Sequence, residues 1–148
     1  MAISLKRIGE KDVDVIAFLF DEYRQFYKQP SDLPAAVSFL KERLGKNESV
    51  IFIAYVDNAP VGFMQLYPIF SSVGLKKAWL LNDLYVAATA RKHGTGTALL
   101  DAAKKHGEET GSRWLLLQTG ENNFTAQSVY EKNGWVRETD FFYRFDLE

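Results

Sequence analysis

The spacing of apolar residues along the chain predicts a mixture of strands and helices. Residues 3–8 alternate as a short strand does, and between Asp12 and Tyr27 apolar side chains recur at helical intervals. A second helical stripe begins at Pro34, where the first turn of a helix tolerates proline, and ends at Gly45. The chain therefore opens with one strand and two helices.

A β-rich region follows these helices. Ser49–Val56 and Val61–Phe70 are rich in β-branched and aromatic residues, and the short break between them predicts an antiparallel hairpin. Beyond a polar loop, Trp79–Val86 has the apolar composition of a buried strand. Asn82 and Asp83 interrupt that strand with polar groups, which raises the question of a functional role.

The last third of the chain predicts two helices and three strands. Thr95–Glu109 and Asn123–Asn133 have helical apolar faces closed by a glycine, and Trp114–Thr119 between them resembles a buried strand. Two short alternating strands are predicted within Trp135–Asp146. The element order is β-α-α-β-β-β-α-β-α-β-β, and without a repeat or a linker residues 1–148 are expected to form a single domain.

Composition narrows the class of protein. The chain has 148 residues, of which 47% are hydrophobic, enough to bury one core. Its net charge of −1 provides no overall field that would attract nucleic acid or an anionic membrane surface. The N-terminus lacks the apolar core of a signal peptide, and no window approaches the ~20 apolar residues of a membrane span. We therefore expect a cytoplasmic protein that binds neither nucleic acid nor membrane.

Cysteine and histidine usage limits the available chemistry. The chain has no cysteine, which removes disulfides, thiolate metal ligands and a cysteine nucleophile. Its two histidines, His93 and His106, have no carboxylates around them at metal-ligand spacing. We therefore expect no metal site, and interpret His106 as a core histidine on the apolar face of its helix.

The segment before the third predicted helix has the composition of an anion-binding loop. It reads Arg91-Lys92-His93-Gly94-Thr95-Gly96. Glycines without Cβ atoms let backbone N–H groups converge, and the start of the helix adds unpaired donors and the positive end of its dipole. Arg91 and Lys92 add cationic side chains that would donate charge-assisted hydrogen bonds to phosphate oxygens. Such a loop suits a pyrophosphate, although an ordinary strand-to-helix turn can have the same composition.

Two other phosphate-binding motifs do not fit this loop. No Lys-Ser or Lys-Thr follows Gly96, so the Walker motif is excluded. Leu99 stands where a dinucleotide-binding motif has its third glycine, and the acidic residue about 20 positions further on is missing.

The loop instead resembles the coenzyme A signature of the GNAT superfamily of N-acetyltransferases. Arg91-x-x-Gly94-x-Gly96 follows the strand Asn82–Val86, and Asn123-x-x-Ala126-x-x-x-Tyr130-x-x-x-Gly134-Trp135 is similar to the family's last helix. The element order also fits, so the resemblance covers nearly all of the chain. It implies a mixed α/β (α+β) fold with a central, mostly antiparallel, strongly twisted sheet and helices on both faces.

The resemblance also implies acetyl-coenzyme A as the cosubstrate. The backbone of Leu84, Tyr85 and Val86 would then pair with the pantetheine arm, while Asn123 would contact the pantetheine or nearby backbone. Ala126 would leave room for the cofactor. The pyrophosphate would be held by Arg91, Lys92, His93, Gly94, Thr95, Gly96 and Thr97.

Three positions are candidates for catalysis. The resemblance places Tyr130 beside the thioester sulfur, where its neutral phenol would protonate the departing thiolate, although it could also be a core tyrosine. In polyamine acetyltransferases, a branch with a similar strand, a glutamate often precedes the aspartate. The residue here is Asn82, which cannot act as a base. Asp83 could act directly or through water, or could be a strand carboxylate satisfied by backbone donors.

The acceptor pocket is implied by the resemblance to lie at the first helical pair and the loop after the third strand. Its candidate residues are Tyr23, Phe26, Tyr27, Phe70 and Ser71. Most of these aromatics could equally belong to the core. Asp21, Glu22 and Asp32 would favour a cationic amine if they faced the site, although helix charges are more often solvated.

The sequence as a whole predicts transfer of an acetyl group to the primary amine of a small molecule, such as a polyamine or amino acid, in a ternary complex. Protein N-termini or lysines are alternative acceptors, and a non-catalytic acyl-coenzyme A-binding module is a further alternative. A homodimer is also expected, because four aromatic side chains crowd a predicted terminal strand, namely Phe141, Phe142, Tyr143 and Phe145.

Overall fold

A computed structural model describes residues 2–148, which divide into two compact units. The first unit extends to Gln118, and the second runs from Thr119 to Glu148. The strands of the first unit are β1 (Ile3–Ile8), β2 (Val50–Val56), β3 (Ala59–Ser71), β4 (Lys76–Val86) and β5 (Leu115–Leu117). Its helices are α1 (Val13–Phe26), α2 (Leu33–Gly45) and α3 (Thr95–Glu109), and the second unit contains α4 (Phe124–Lys132). The single domain remains a prediction.

The five strands form one sheet in the order β1-β2-β3-β4-β5. The first four strands pair antiparallel, and β5 lies parallel to β4. The predicted hairpin between β2 and β3 turns at Asp57 and Asn58, whose φ angles of 50° and 67° suit the residues that tolerate a left-handed backbone. The mostly antiparallel sheet predicted from the sequence is therefore confirmed.

Helices cover both faces of this sheet. Helices α1 and α2 pack on one face, where their apolar side chains join Ile51, Ile53 and Phe63 in a buried cluster. Because side chains alternate along a strand, Phe52 points to the opposite face, where its ring lies 6.0 Å from that of His106 in α3. We call these the α1 face and the α3 face.

Strand β4 contains a β-bulge at Asn82. Gln65 of β3 pairs with Asp83, but the next residue, Leu66, pairs with Leu81, so Asn82 is an additional residue on β4. Cross-strand partners share a face, and neighbours along a strand do not. Leu81 therefore faces α3, whereas Asp83, only two positions later, faces α1.

The two strands predicted within Trp135–Asp146 are wrong. Beyond Lys132 the described residues form neither a strand nor a helix. Alternating composition does not make a strand without a partner backbone, and the aromatic side chains of residues 141–143 and 145 are 76–96% exposed. Strand β5 is also shorter than predicted, because its pairing with β4 ends at Leu81, beside the bulge. No helix within residues 2–148 is long and apolar enough to span a membrane.

Candidate active site

The predicted anion-binding loop leads directly into helix α3. Gly94 is the N-cap of this helix and has a φ of +85°, a left-handed conformation that favours glycine. It has no side chain to cap the first turn, so the amides of Thr95 and Gly96 lack a capping partner on Gly94 and an i−4 partner within the helix. They lie at the positive end of the helix dipole.

The space around the two glycines fits a pyrophosphate. A Cβ atom built on Gly94 or on Gly96 would meet no protein atom within 4 Å. The φ of Gly96 is not positive, so neither packing nor backbone conformation of the protein requires a glycine there. A missing side chain does leave the end of the helix open to an approaching anion.

The side chains of the loop are held to different degrees. Arg91 donates from Nε to the Val86 carbonyl at 2.9 Å, and its guanidinium lies 5.9 Å from the Tyr85 ring centroid. Lys92 and His93 are exposed. Thr95 is 1% exposed, and its Oγ1 has no hydrogen-bond partner among the described residues. Thr95 can therefore offer a ligand only its backbone N–H, and Thr97 is half-buried in the same turn of the helix.

The outer edge of β4 is unpaired after the bulge. β5 pairs with residues 79–81 of β4, and within the described chain no strand continues that pairing along Leu84 and Tyr85. On the inner edge β3 approaches closely, since a Cβ on Gly62 would lie 2.7 Å from the Tyr85 carbonyl oxygen. Amide groups of a ligand could therefore pair with β4 only along its outer edge, where the Val86 carbonyl already accepts from Arg91.

Asp83 is a buried carboxylate held by side chains rather than by backbone donors. It is 5% exposed and accepts from Gln65 Nε2 at 2.6 Å and from Asn82 Nδ2 at 3.0 Å. Tyr23 of α1 also lies near this carboxylate. Burial raises the pKa of Asp83 above its ordinary value and outweighs the influence of Gln65, Tyr23 and Asn82, which act to lower it.

The aromatic candidates for the acceptor pocket are only partly brought together. The Tyr23 ring lies 5.1 Å from Tyr27 and 6.0 Å from Tyr85, and Phe26 packs 5.3 Å from Tyr27. Phe70 is 74% exposed and lies seven residues from Phe63 along β3, roughly 23 Å at the usual rise of a strand. Its neighbour Ser71 accepts from the Gly74 N–H and so stabilises the turn into β4. For Phe70 and Ser71 the substrate role remains a prediction.

The three acidic residues near these aromatics have different roles. Asp21 is 6% exposed and accepts from Ser31 Oγ at 2.6 Å and from the Asp32 N–H at 2.9 Å. Asp32 accepts from the Ala35 N–H and caps α2. Only Glu22 faces the aromatic group, where it accepts from the Tyr85 hydroxyl at 3.3 Å.

Comparison with known proteins decides the family. The profile described as the acetyltransferase (GNAT) family matches residues 16–135. The chain belongs to the GNAT acetyltransferase family. It is 46% identical over 139 residues to the uncharacterized N-acetyltransferase YhfO of Bacillus subtilis (strain 168), covering 94% of this chain and 93% of that protein.

Solved structures agree with this assignment. A crystal structure of a probable acetyltransferase has a TM-score of 0.89 and 39% identity, and the match covers 98% of this chain and 97% of that one. The aminoglycoside N-acetyltransferase AAC(6')-Iy in complex with CoA has a TM-score of 0.80 over 97% of this chain and 95% of its own, but its 20% identity shows the fold alone. The predicted GNAT fold and the acetyl-coenzyme A-dependent N-acetyltransferase activity are therefore confirmed.

The second unit contains the remaining site residues predicted from the GNAT signature. Asn123 accepts from the Ala126 N–H at 3.2 Å and caps α4, so its side-chain oxygen already has a partner. Tyr130 and Ala126 are half-buried, and the Tyr130 ring lies 6.4 Å from that of Trp135. Gly134 ends the helix with a φ of +87°.

Sequence reasoning missed two residues of the GNAT enzyme's buried polar group. Ser49 Oγ donates to Gln65 Oε1 at 2.7 Å, which orients the Gln65 amide so that its nitrogen donates to Asp83. Gln65 is the polar residue within the apolar run of β3, so that run contained the signal. Within residues 2–148 no group of three acidic or histidine side chains is placed to hold a metal ion.

Proposed function

We propose that this GNAT enzyme acetylates the primary amine of a small cationic molecule by direct attack on acetyl-coenzyme A in a ternary complex. The observation that carries this proposal is the position of Asp83, buried on the α1 face next to Tyr23. The rings of Tyr23 and Tyr27 and the exposed carboxylate of Glu22 would together favour a cation over an anion.

Arg91–Thr97 would hold the pyrophosphate of the cosubstrate. Support comes from the open space at Gly94 and Gly96, the N-terminus of α3 and the fixed guanidinium of Arg91. Leu84 would offer unpaired backbone groups on the outer edge of β4 to the amides of the pantetheine, whereas the Tyr85 carbonyl points to β3. Acetyl-coenzyme A supplies the activated thioester, and the protein orients it toward the amine.

The proton transfers would fall to two groups. Asp83 would remove a proton from the amine, and its raised pKa suits it better to that task than an ordinary aspartate. Asn82 would position Asp83 through the hydrogen bond from its amide and take no proton itself. Tyr130 would protonate the departing thiolate. The role of Tyr130 follows from the family resemblance.

The acceptor class is tested by measuring acetyl-coenzyme A consumption with polyamines, amino acids, aminoglycosides and peptides. We expect turnover with a small amine and little with peptides. Turnover confined to peptide N-termini or lysines would favour the alternative acceptor class, and no turnover with any amine would contradict the proposal.

The cofactor loop is tested by calorimetric titration with acetyl-coenzyme A. Gly94→Val should abolish binding but also strains a left-handed backbone, so Gly96→Val is the cleaner variant. Gly9→Val is the matched control, because a Cβ at Gly9 also meets no protein atom within 4 Å and lies outside the loop. Unchanged affinity in a folded Gly96→Val variant would remove the loop from the binding site.

We also propose a homodimer. It is supported by the exposed aromatic side chains of the C-terminal segment, including Phe141 at 85% and Tyr143 at 96%, and by the outer edge of β5, which has no strand partner among the described residues. Each copy of the chain has both the exposed aromatic side chains and the unpaired β5 edge, so two copies could cover these surfaces in each other. Light scattering should give twice the 16.9 kDa chain mass, and a monomer at tens of micromolar would contradict the dimer. The cytoplasmic location remains a prediction.

A further inference from the structure

The two oxygens of the Asp83 carboxylate have different neighbours. Oδ2 accepts from Gln65 Nε2 at 2.6 Å, and Gln65 is fully buried. Oδ1 accepts at 3.0 Å from the side-chain amide of Asn82, the exposed residue at the bulge of β4. One oxygen is therefore held by a buried group, and the other lies beside a residue that solvent reaches.

Ser49 fixes the orientation of the donor that Oδ2 receives. Its hydroxyl donates to Gln65 Oε1 at 2.7 Å, and Ser49 is only 6% exposed. An amide whose oxygen accepts from Ser49 presents its nitrogen on the other side, where Asp83 lies. These contacts join three residues that are 16 and 18 positions apart in the sequence.

We propose that Ser49 and Gln65 are positioning residues that hold Oδ2 of Asp83, so that Oδ1 takes the proton of the acceptor amine. This rests on the proposed function, in which Asp83 is the base. The proton moves, directly or through one water molecule, from the ammonium nitrogen to Oδ1. The freed lone pair attacks the thioester carbonyl and expels the coenzyme A thiolate, and Asp83, now a neutral acid, returns its proton to solvent after the product leaves.

Protonation at Oδ1 requires the smaller rearrangement. The neutral acid still accepts from Gln65 at Oδ2, and only the exposed Asn82 amide has to turn its oxygen toward the new O–H. Protonation at Oδ2 would place an O–H against the Gln65 N–H, until a fully buried amide and the Ser49 hydroxyl had both reversed. The buried pair therefore keeps the carboxyl group in one orientation in both of its charge states.

Two phenols near Asp83 do not compete for its proton. Burial, followed by the Asp83 charge, raises the pKa of Tyr23 on α1 well above its ordinary value. The same two influences raise the pKa of Tyr67 on β3, while Arg43 of α2 acts in the opposite direction. Both phenols therefore stay neutral at neutral pH, and Asp83 is the group that changes its charge.

The positioning role is tested with a double-mutant cycle. Ser49→Ala should lower the turnover number roughly fivefold, the effect of about one hydrogen bond, with the KM for the amine changed less than about twofold. In a Gln65→Met background the same substitution should change turnover less than about twofold, because Ser49 acts only through Gln65. Unchanged turnover in Ser49→Ala, equal losses in both backgrounds, or a change in KM alone would overturn the proposal.

The matched control is Ser31→Ala. It removes a hydroxyl that donates at 2.6 Å to the carboxylate of Asp21, which is not the proposed base. Turnover should stay within about twofold of the wild type. A loss as large as that in Ser49→Ala would mean that the effect is not specific to the base, and the positioning role would be wrong.

Two NMR measurements do not depend on activity. Carbon-13 titration of the Asp83 carboxyl, identified by its loss in Asp83→Asn, should give a higher pKa in Gln65→Met than in the wild type, because the charged form loses a donor. An unchanged titration would overturn the proposal. In the wild type, the nuclear Overhauser contacts of the Gln65 amide protons should stay with Asp83 throughout the titration. Their transfer to Ser49 at low pH would place the proton on Oδ2 and would also overturn it.

Failure of this proposal and failure of the proposed function give different results. An active enzyme whose Ser49→Ala variant keeps full turnover refutes the positioning role and leaves acetyl transfer intact. A wild type that acetylates no amine refutes the proposed function, and the positioning role with it.

Discussion

Asp21 and Asp83, both in the first unit, have similarly low solvent exposure, at 6% and 5%, yet their environments shift their pKa values in opposite directions. The Ser31 hydroxyl and the Asp32 N–H lower the pKa of Asp21, and burial acts against them less strongly. At Asp83 burial is the largest influence and raises the pKa. Low solvent exposure alone thus does not identify a base. The balance between desolvation and donors distinguishes a structural carboxylate from one suited to accept a proton.

The largest expected effect is on turnover. Asp83→Asn should lower the turnover number by roughly 100- to 10,000-fold, the usual contribution of a general base, with little loss of acetyl-coenzyme A affinity. The fold should survive, because the Gln65 amide can turn over and donate to Ser49, whose hydroxyl accepts as well as donates. Steady-state kinetics and calorimetry measure the two quantities. Turnover within about twofold of the wild type would give Asp83 the same structural role as Asp21.

The converse effect is expected at Asp21. Asp21→Ala leaves the Ser31 hydroxyl and the Asp32 N–H without their acceptor, which should lower the free energy of unfolding by about 1–3 kcal/mol. Asp21→Asn, which can keep one oxygen on the Asp32 N–H, should cost less. Urea unfolding measures both variants. Turnover should stay within about twofold in each, and a large catalytic loss in Asp21→Asn would erase the distinction between the two carboxylates.

A smaller catalytic effect is expected from the residues behind Asp83. Replacing Gln65 by Met together with Ser49→Ala removes both groups of their mutual hydrogen bond, but the buried Asp83 carboxylate loses its Gln65 donor, so the free energy of unfolding should fall by about 1–3 kcal/mol. The Asp83 carboxylate then loses one donor, and we expect about a tenfold lower turnover number, roughly 1.4 kcal/mol of barrier. The KM for the amine should not change, and the NMR-measured pKa of Asp83 should rise. A change in KM alone would contradict a positioning role.

The smallest effect is on the pH dependence of stability, and it has opposite signs at the two sites. A lowered pKa at Asp21 stabilises the fold above the unfolded pKa of about 3.9, and this is lost as pH falls through the folded pKa. A raised pKa at Asp83 favours the fold at low pH, and this is lost as pH rises through the folded pKa. We therefore expect the free energy of unfolding, measured with urea from pH 3 to 8, to decrease relative to the wild type in Asp21→Asn as pH rises. In Asp83→Asn it should increase relative to the wild type over the same range. Parallel curves would contradict the opposite shifts.

Much of the fold and the glycine-containing loop before α3 could be predicted because their signals are local. Gly94, Gly96 and Arg91 are neighbours in sequence, and helix starts and hairpin turns are set by a few adjacent residues. The surroundings of Asp83 could not be predicted in the same way. Ser49 and Gln65 come from two other strands, and Tyr23 comes from α1. Alternation along β4 would also have put Asp83 on the same face as Leu81, because the bulge at Asn82 leaves no mark in composition.

The prediction of strands in the C-terminal segment failed for a different reason. Its alternating aromatic residues have the pattern of strands, but a strand exists only where another backbone accepts its hydrogen bonds. In residues 135–148 the described backbone hydrogen bond outside regular elements is the one from the Trp135 N–H to the Tyr130 carbonyl. The pattern therefore predicted which side chains are apolar but not whether a neighbouring strand is present.

Because of the bulge at Asn82, the loss of a single codon from this stretch of the gene should have different consequences at different positions. If the Asn82 codon is deleted, Leu81 and Asp83 become neighbours and still point to opposite faces, so β3 and β4 can pair in an unbroken ladder. If the Leu84 codon is deleted, Tyr85 and all later residues of β4 exchange faces. The first deletion would keep a folded protein without the bulge that follows the last residue of β4 paired with β5. We therefore expect such a variant to remain folded, with a β4 strand that is one residue shorter.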